Sequence, residues 1–564
     1  MNYNILIGGA AGQGINTLSS LLEKILHRKG YYLFSNMDYM SRVRGGHNFV
    51  QIRFGDEPIT SHHSALDLVI ALDQETLDLH QSRLKDTGVI FIDRSLNESK
   101  TSDNKQLKTY DFKSVAKELE NNRVEGSVTV GAVLKHFGLD LDYVKESCDS
   151  IFKKVSIAQL NYTAIEKGMD LAESLLTLNP MPNNQDKILI NGNQALALGA
   201  LAGGLDYYVA YPMSPSTGIM TYLSSKQSEA GIVVEQAEDE IAAINMAIGG
   251  AYAGARSMTG TSGGGFSLMV ESLGLSGIME IPLVVVDVQR PGPATGLPTR
   301  TEQSDLSFVL TASHGEISRM ILSVKSAEDA FYATVRALNI ADKYQIPVII
   351  LSDQFLADTS QTIDAFNFDN ITINRHISKK EDITEGTYKR YEMTENGISP
   401  RIIPGKIEGQ VILSDSDEHD EYGNITESAD VRIKQMNKRM QRLEMLKSVV
   451  EEPEHFGSEQ PNLLLMGWGS MYGPLQEAVK MLQDDGYKVA SLVFGDLYPL
   501  PTKLLEKYHD KANTLVNVEQ NFTGQLGKLI RQETGIHCQK SILKYDGRQL
   551  SGEEIYNRVI KEVL

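Results

Sequence analysis

Leu283-Val284-Val285-Val286-Asp287-Val288 runs without a break into Gln289-Arg290-Pro291-Gly292-Pro293-Ala294-Thr295-Gly296-Leu297-Pro298-Thr299-Arg300-Thr301-Glu302-Gln303. The opening run reads as a buried strand: short, apolar, mostly β-branched, and ending where turn residues begin. The remainder reads as a loop that Pro291, Pro293 and Pro298 stiffen and that Gly292 and Gly296 open. Arg290 stands at its entrance. An arginine held in a braced loop suits two-point capture of a carboxylate; a surface ion pair is the plainer alternative.

Apolar runs at 208–211 and 347–351 accompany this strand, with helical stretches between them, and another at 187–191 precedes them. Residues 187–365 therefore read as an α/β unit. Ahead of it, residues 1–178 show the same alternation. A strand at 3–7 is followed by Gly8-Gly9-Ala10-Ala11-Gly12-Gln13-Gly14, and then by Ile15, Leu18, Leu21, Leu22 and Ile25 at helical spacing. Further apolar runs at 66–72 and 89–92 make this a doubly wound α/β unit. A Pro/Asn-rich linker at 178–186 separates the two. Residues 366–457 are polar, lack a sheet pattern and carry one charged helix at 429–450, so they read as a connecting region. A third α/β unit, 458–564, has strands at 462–466, 488–493 and 514–518.

Composition narrows the function. The chain has 564 residues, enough for three or four domains, and a net charge of −19, which repels a phosphate backbone. Nucleic acid is not an expected partner. No window reaches about 18 uncharged apolar residues, and the N-terminus has no basic leader, so neither a membrane span nor a signal peptide is expected. Cys148 and Cys538 are the only cysteines. No disulfide framework is implied, which suits a reducing, cytoplasmic location, and the chain by itself cannot ligate a four-cysteine iron–sulfur cluster.

Two more segments suggest a site. In Tyr211-Pro212-Met213-Ser214-Pro215-Ser216-Thr217, two prolines stiffen a hydroxyl-bearing loop at the end of a strand, a good place to grip a small polar ligand. An ordinary Pro-rich turn is the alternative. The stretch 233–256 is dominated by small residues, so it packs closely against another helix or a flat ligand. Glu240 shares its apolar stripe with Ala243, Ile244, Ala247 and Ala251. An acid there is costly to bury without a partner. Favouring the helix N-terminus explains Glu235, Glu238 and Asp239 better than it explains Glu240.

The glycine loop at 8–14 leaves two readings open. Its GxxxGxG pattern occurs in NADP-binding dehydrogenases, and a YxxxK pair, Tyr222 and Lys226, exists across the linker. A structural turn is the other reading. Arg42 and Arg44, beside Gly45 and Gly46, make a cationic loop for a phosphate or carboxylate, or a surface turn with an ion pair.

Taken in order, Y-P-M-S-P-S-T, E-D-E-I-A-A-I-N-M-A-I-G-G-A and Q-R-P-G-P-A-T-G-L-P-T-R-T-E-Q closely resemble the alpha subunit of 2-oxoacid:ferredoxin oxidoreductases, of the 2-oxoglutarate type with a gamma domain fused ahead of it. Gly8–Gly14 with Arg42–His47 match the gamma domain. Y-E-M-T-E-N-G-I-S-P-R-I-I-P-G at 391–405 and E-H-D-E-Y-G at 418–423 match the intervening region. G-W-G-S at 467–470, V-E-Q-N at 518–521 and G-Q-L at 524–526 match a transketolase C-terminal-like domain. The family loop usually reads Y-P-I-T-P; here Met213 and Ser214 replace its third and fourth residues.

The resemblance implies a gamma domain at 1–178, a thiamine-diphosphate pyrimidine-binding domain with a doubly wound parallel sheet at 187–365, substrate-side loops at 366–457 and the C-terminal domain at 458–564. It implies oxidative decarboxylation of a 2-oxoacid, most simply 2-oxoglutarate, with coenzyme A and ferredoxin; broad-specificity, branched-chain or pyruvate enzymes are the alternatives. Glu240 aligns with the glutamate on N1′ of the cofactor. Tyr211, Pro212 and Gly263 fall at cofactor positions, Ser214, Arg290, Thr295 and Arg300 at substrate positions, and Arg42, Arg44 and Asp420 are secondary candidates. No Gly-Asp-Gly followed by an Asn-rich segment exists to hold Mg²⁺ and the diphosphate, since Gly495-Asp496 continues into Leu497. No metal ligands are therefore assigned to this chain. Mg²⁺ and a 4Fe–4S cluster are expected on a beta subunit, in an assembly of one or two copies of each chain.

Overall fold

The computed structural model describes residues 2–41, 46–96, 105–179, 181–182, 184, 186–369, 371–383 and 386–564. They form two compact units, Met1–Ile190 with Thr359–Ala365, and Asn191–Asp358 with Phe366–Leu564. Strands are numbered along the chain: β1 (Asn2–Ala10), β2 (Tyr32–Asp38), β3 (His47–Gly55), β4 (Leu66–Ala71), β5 (Leu84–Asp93), β6 (Leu107–Tyr110), β7 (Lys187–Asn191), β8 (Tyr207–Ala210), β9 (Val233–Gln236), β10 (Ser257–Thr261), β11 (Leu283–Gln289), β12 (Met320–Ser323), β13 (Pro347–Asp353), β14 (Ser360–Asp364), β15 (Glu454–Gly457), β16 (Leu463–Trp468), β17 (Val489–Phe494), β18 (Asp496–Tyr498), β19 (Thr514–Glu519) and β20 (Lys540–Leu543). The fold is α/β with three sheets of mostly parallel strands, and among the described residues no helix is long and apolar enough to cross a membrane.

The first unit holds one sheet of order β6-β5-β4-β1-β3-β2-β14-β7. Its centre is β1, whose Ile5, Leu6 and Ile7 are fully buried, paired parallel to β4 and antiparallel to β3. Gly12 and Gly14 turn the chain with φ of 96° and 83°, which a side chain would resist. The helix Ile15–Arg28 then buries Ile15, Leu18, Leu21, Leu22 and Ile25, the spacing read from the sequence. The strand at 187–191 lies elsewhere than that reading has it. It joins the edge of this sheet beside β14, where Lys187 meets Asp364 at 2.5 Å, rather than opening the next unit. Periodicity identifies a strand but not the neighbour it pairs with.

The second unit holds two sheets. The seven-stranded one has order β18-β12-β13-β11-β10-β8-β9, and every pair from β12 to β9 is parallel. All seven residues of β11 are buried, as a strand covered by helices on both faces must be. The five-stranded sheet runs β15-β17-β16-β19-β20. Both share a core that includes Val285, Ile349 and Leu351 from one sheet and Trp468, Leu492 and Phe494 from the other. β18 carries the C-terminal segment across to pair antiparallel with β12.

Between the sheets, the described residues of 366–428 contain no α-helix and no strand beyond the isolated His419–Ile425 bridge. The charged helix follows as Ala429–Leu446, capped by the Ser428 side chain on the Val431 N–H. It stops short of 450, and beyond its end the Val449 carbonyl accepts a 2.8 Å bond from Arg336. Glu280, fully buried at the end of the Gly263–Ile278 helix, clamps this helix in place. Its carboxylate accepts from Lys438 Nζ at 2.9 Å and from Arg442, and its backbone carbonyl from Arg390 at 2.6 Å. Burial opposes its ionisation, but Arg442, Lys438 and Arg390 together hold the carboxyl well below the usual range. Glu280→Gln should leave buried cations unpaired and cost about 3–5 kcal/mol. The expected result is a clear drop in the unfolding temperature. Glu444→Gln, which breaks the exposed Lys447–Glu444 pair on the same helix, should shift it by little; equal shifts would show that the buried cluster is not the clamp.

Candidate active site

In the seven-stranded sheet the chain order reverses between β8 and β10, since β8 leads outward to β9 on one side while β10, β11 and β13 extend to the other. Ligands of open α/β sheets bind at such a point, outside the carboxyl ends of the strands. The 211–217 loop follows β8, Glu240 follows β9, Gly263 follows β10 and Arg290 follows β11. The parallel sheet thus carries all four segments to one edge.

Glu240 opens the helix Glu240–Tyr252, which Asp239 caps by accepting the Ala242 N–H at 2.7 Å. Ala243, Ile244, Ala247 and Ala251 are buried on the same stripe. Glu240 itself is 3% exposed, and its Oε1 has no hydrogen-bond partner. A buried carboxylate oxygen left so is expensive and points to a donor that arrives from outside the chain. The Gly263–Ile278 helix begins Gly263-Gly264-Gly265, and a Cβ built on Gly265 collides with Glu240 Oε1 and Thr261 Oγ1. Glycine there keeps the backbone close to the acid. The buried Ser262 and Thr217 hydroxyl oxygens also lack partners.

Arg290 is 9% exposed and donates to the Ser214 carbonyl at 2.6 Å. That bond ties the β11 loop to the β8 loop and aims the guanidinium. Burial lowers the arginine's affinity for its proton, while the charges of Asp305 and Glu240 raise it. The Asp305 N–H donates to Gln289 Oε1 at 3.0 Å, its Oδ2 is unpartnered, and a Cβ on Gly263 would collide with its carboxylate. Burial, with Glu302 adding and Arg290 opposing, pushes the Asp305 carboxyl up to about 7. Asp287 in β11 is fully buried, with neither carboxylate oxygen partnered, and burial followed by the charge of Asp305 raises it well above the usual range.

The loop's far end is anchored in the other sheet: Gln303 donates to the Trp468 carbonyl at 2.8 Å, and Asn521 donates to the Gln303 carbonyl at 3.0 Å. Ser214, Thr295 and Tyr211 are exposed, and Pro212 is half-buried. Arg300 is half-buried; its N–H donates to the Leu297 carbonyl at 3.1 Å, and a Cβ on Gly547 would come within 3.1 Å of its own Cβ. Glu240, Arg290, Ser214 and Gly263 are thus brought together. Asp420 instead accepts from the Tyr422 and Asn424 N–H groups at 2.9 Å, a carboxylate spent on its own turn. Arg42 and Arg44 lie outside the described residues. His47, from the same motif, meets His80 at 2.8 Å between ring nitrogens. Lys226 of the YxxxK pair is engaged by Glu229 at 3.0 Å. Asp287 and Asp305 went unread in the sequence, although an acid inside the apolar run L-V-V-V-D-V is a visible signal.

The chain matches the family described as pyruvate ferredoxin/flavodoxin oxidoreductase over residues 4–171. Residues 198–438 match the pyruvate flavodoxin/ferredoxin oxidoreductase thiamine diphosphate-binding family, and 462–555 match pyruvate:ferredoxin oxidoreductase core domain II. It is 31% identical to a 2-oxoacid:ferredoxin oxidoreductase subunit alpha of Sulfolobus sp., over 100% of this chain and 97% of that one. It is 28% identical to the 2-oxoglutarate oxidoreductase subunit KorA of Mycobacterium tuberculosis, over 100% and 92%. Its structure matches the 2-oxoglutarate:ferredoxin oxidoreductase from Magnetococcus marinus, solved with 2-oxoglutarate, coenzyme A and succinyl-CoA bound, at a TM-score of 0.92, 31% identity and full coverage of both chains. The dehydrogenase reading of the glycine loop gives way to these matches: the chain belongs to the family of 2-oxoacid:ferredoxin oxidoreductase alpha subunits.

Proposed function

We propose that this subunit supplies the pyrimidine half of a thiamine diphosphate site and the contacts to a 2-oxoacid, with 2-oxoglutarate as the substrate. The observation that carries the proposal is the buried, unpartnered Oε1 of Glu240 beside the glycine turn 263–265. These residues fit the cofactor: an acid without a donor, and a flat approach that any Cβ would fill. When bound, thiamine diphosphate supplies the electron sink that decarboxylation of a 2-oxoacid requires.

The chain's own residues do the rest. Glu240 holds the N1′ position and keeps or passes a proton at Oε1; burial on a small-residue helix keeps water from competing there. Tyr211, Pro212 and Gly263 line the cofactor's edge. Arg290, already fixed on the Ser214 carbonyl, presents its remaining N–H groups to the substrate's carboxylate. The hydroxyls of Ser214 and Thr295 complete the polar contacts, and Arg300 meets the distal carboxylate of 2-oxoglutarate. Arg42 and Arg44 remain secondary candidates, whereas Asp420 is engaged by its own turn.

Mg²⁺, the diphosphate and the 4Fe–4S cluster are proposed to sit on a beta subunit, in a cytoplasmic assembly of two alpha and two beta chains that passes electrons to ferredoxin and the acyl group to coenzyme A. Cysteine chemistry supports this placement. Cys148 and Cys538 are two thiols, and a cluster held by four cysteine thiolates needs four. The relatives named for 2-oxoglutarate support the choice of substrate.

Glu240→Gln should leave the fold intact and abolish turnover in the assembled enzyme. A residual rate above about a tenth of wild type would mean a loss under ~1.4 kcal/mol, too little for the role. On a panel of 2-oxoacids, Arg290→Lys should raise KM for every substrate, by about 1.5–3 kcal/mol of lost contact. Arg300→Ala should harm 2-oxoglutarate far more than pyruvate; equal losses would make Arg300 structural and point to broad specificity.

A further inference from the structure

Asn193 lies outside the four segments that meet at the sheet edge, yet it is tied to one of them. It is the second residue of the helix Gly192–Ala202, which Asn191 caps. The start of this helix packs so closely on Leu356 that a Cβ built on Gly192 would collide with the Leu356 carbonyl. Ala195, Leu196, Ala197 and Ala200 of the same helix are buried, and Asn193 beside them is 3% exposed. A buried amide in such company needs a polar partner. Its Nδ2 donates to the Pro215 carbonyl at 3.0 Å. An amide can offer only its nitrogen to a carbonyl, so this bond fixes which way the group faces. The Oδ1 on its other side is buried without a partner.

Pro215 follows Ser214, whose carbonyl accepts from Arg290 at 2.6 Å. Two successive carbonyls of the 211–217 loop are thus held by different elements, one by the loop after β11 and one by the helix Gly192–Ala202. Within the loop, the Met213 N–H donates to the Tyr211 carbonyl at 2.7 Å, and the Ser216 hydroxyl and the Thr217 N–H donate to the Met213 carbonyl at 2.8 and 3.1 Å. Pro212 and Pro215 have no N–H to add. These internal bonds end on other carbonyls, so Arg290 and Asn193 are what hold those of Ser214 and Pro215.

We propose that Asn193 is a positioning residue for the 2-oxoacid. It fixes the Pro215 carbonyl, hence the neighbouring Ser214 carbonyl, hence the direction in which Arg290 offers its remaining N–H groups. Pro215 is buried, so without Asn193 its carbonyl has to move to find another donor, and Ser214 moves with it. Two-point capture of a carboxylate requires both N–H groups in line, and a displacement of about 1 Å at such a contact costs up to about a hundredfold. The loss falls on substrate binding rather than on Glu240, which stands on another helix.

The inference rests on Arg290 being a substrate ligand, and the test separates the two. KM for 2-oxoglutarate and kcat are measured on the enzyme assembled with its partner subunit. Asn193→Leu keeps the size of the side chain and removes the donor. Its KM should rise about tenfold while kcat falls by less than about threefold. In an Arg290→Lys background the same change should raise KM by less than about twofold, because the group through which Asn193 acts is gone. Gly218→Ala disturbs the same bond from the other side, since its Cβ would come within 2.5 Å of Asn193 Nδ2, while alanine is the better helix former. It should reproduce the rise in KM, and it carries the same cycle should Asn193→Leu not fold. A rise of equal size with and without Arg290 overturns the inference. Arg290→Lys with an unchanged KM overturns the reading of Arg290 as a ligand, and the inference with it. A raised KM for Arg290→Lys beside an unchanged KM for Asn193→Leu overturns the inference alone.

Discussion

A carboxylate oxygen removed from water without a donor costs free energy that the surrounding fold has to offset, and Glu240 is in that position. Its helix helps, because the acid sits in the first turn, where the N-terminal dipole favours negative charge and Asp239 takes the cap. The glycine turn 263–265 helps by leaving no side chain to fill the space in front of it. The parallel sheet contributes most, because it brings the ends of β8, β9, β10 and β11 to a single edge.

The long irregular stretch after β14 is held by buried charge as well as by apolar side chains such as Tyr391, Ile402 and Leu446. Asp342, 2% exposed, accepts from Arg256 at 2.8 Å, Arg401 at 2.7 Å and Arg375 at 3.3 Å. Glu280 does the same for Lys438 and Arg442. Two of the first set and both of the second belong to 366–446, so a segment whose described residues form no named strand is tied through buried acids to the helix Ala327–Tyr344 and to the end of the helix Gly263–Ile278. Buried ion pairs of this kind add little net stability over apolar packing, but they allow few alternative arrangements. That suits a region whose backbone has no ladder to specify it.

The C-terminal sheet is pinned in a similar way. Glu519, fully buried at the end of β19, accepts from Trp468 Nε1 at 3.0 Å, Asn517 at 2.6 Å, Asn521 at 2.8 Å and the Leu526 N–H at 2.9 Å. Asn521 and Trp468 in turn hold Gln303. The loop that begins at Arg290 is therefore fixed at one end by its own strand and at the other by a second sheet. A residue in that loop gains its position from both, which is why the arginine can stay buried and aimed before any ligand arrives.

Much of this was legible in the sequence. The apolar run at 283–288, the spacing of Ile15, Leu18, Leu21, Leu22 and Ile25, and the acid on a small-residue stripe at Glu240 are local patterns, and local patterns follow from backbone geometry within a few residues. They determined the α/β class, most of the strands and the segments that carry the proposed chemistry. The tertiary structure alone decided which strands are neighbours. It moved 187–191 and 360–364 to the edge of the first sheet, and it brought the Asp305 N–H back to the Gln289 side chain across the whole 290–303 loop. It also spent Asp420 on a turn and Arg290 partly on the Ser214 carbonyl. Strand order and side-chain proximity depend on register between segments distant in sequence, and periodicity carries no information about distance across the chain.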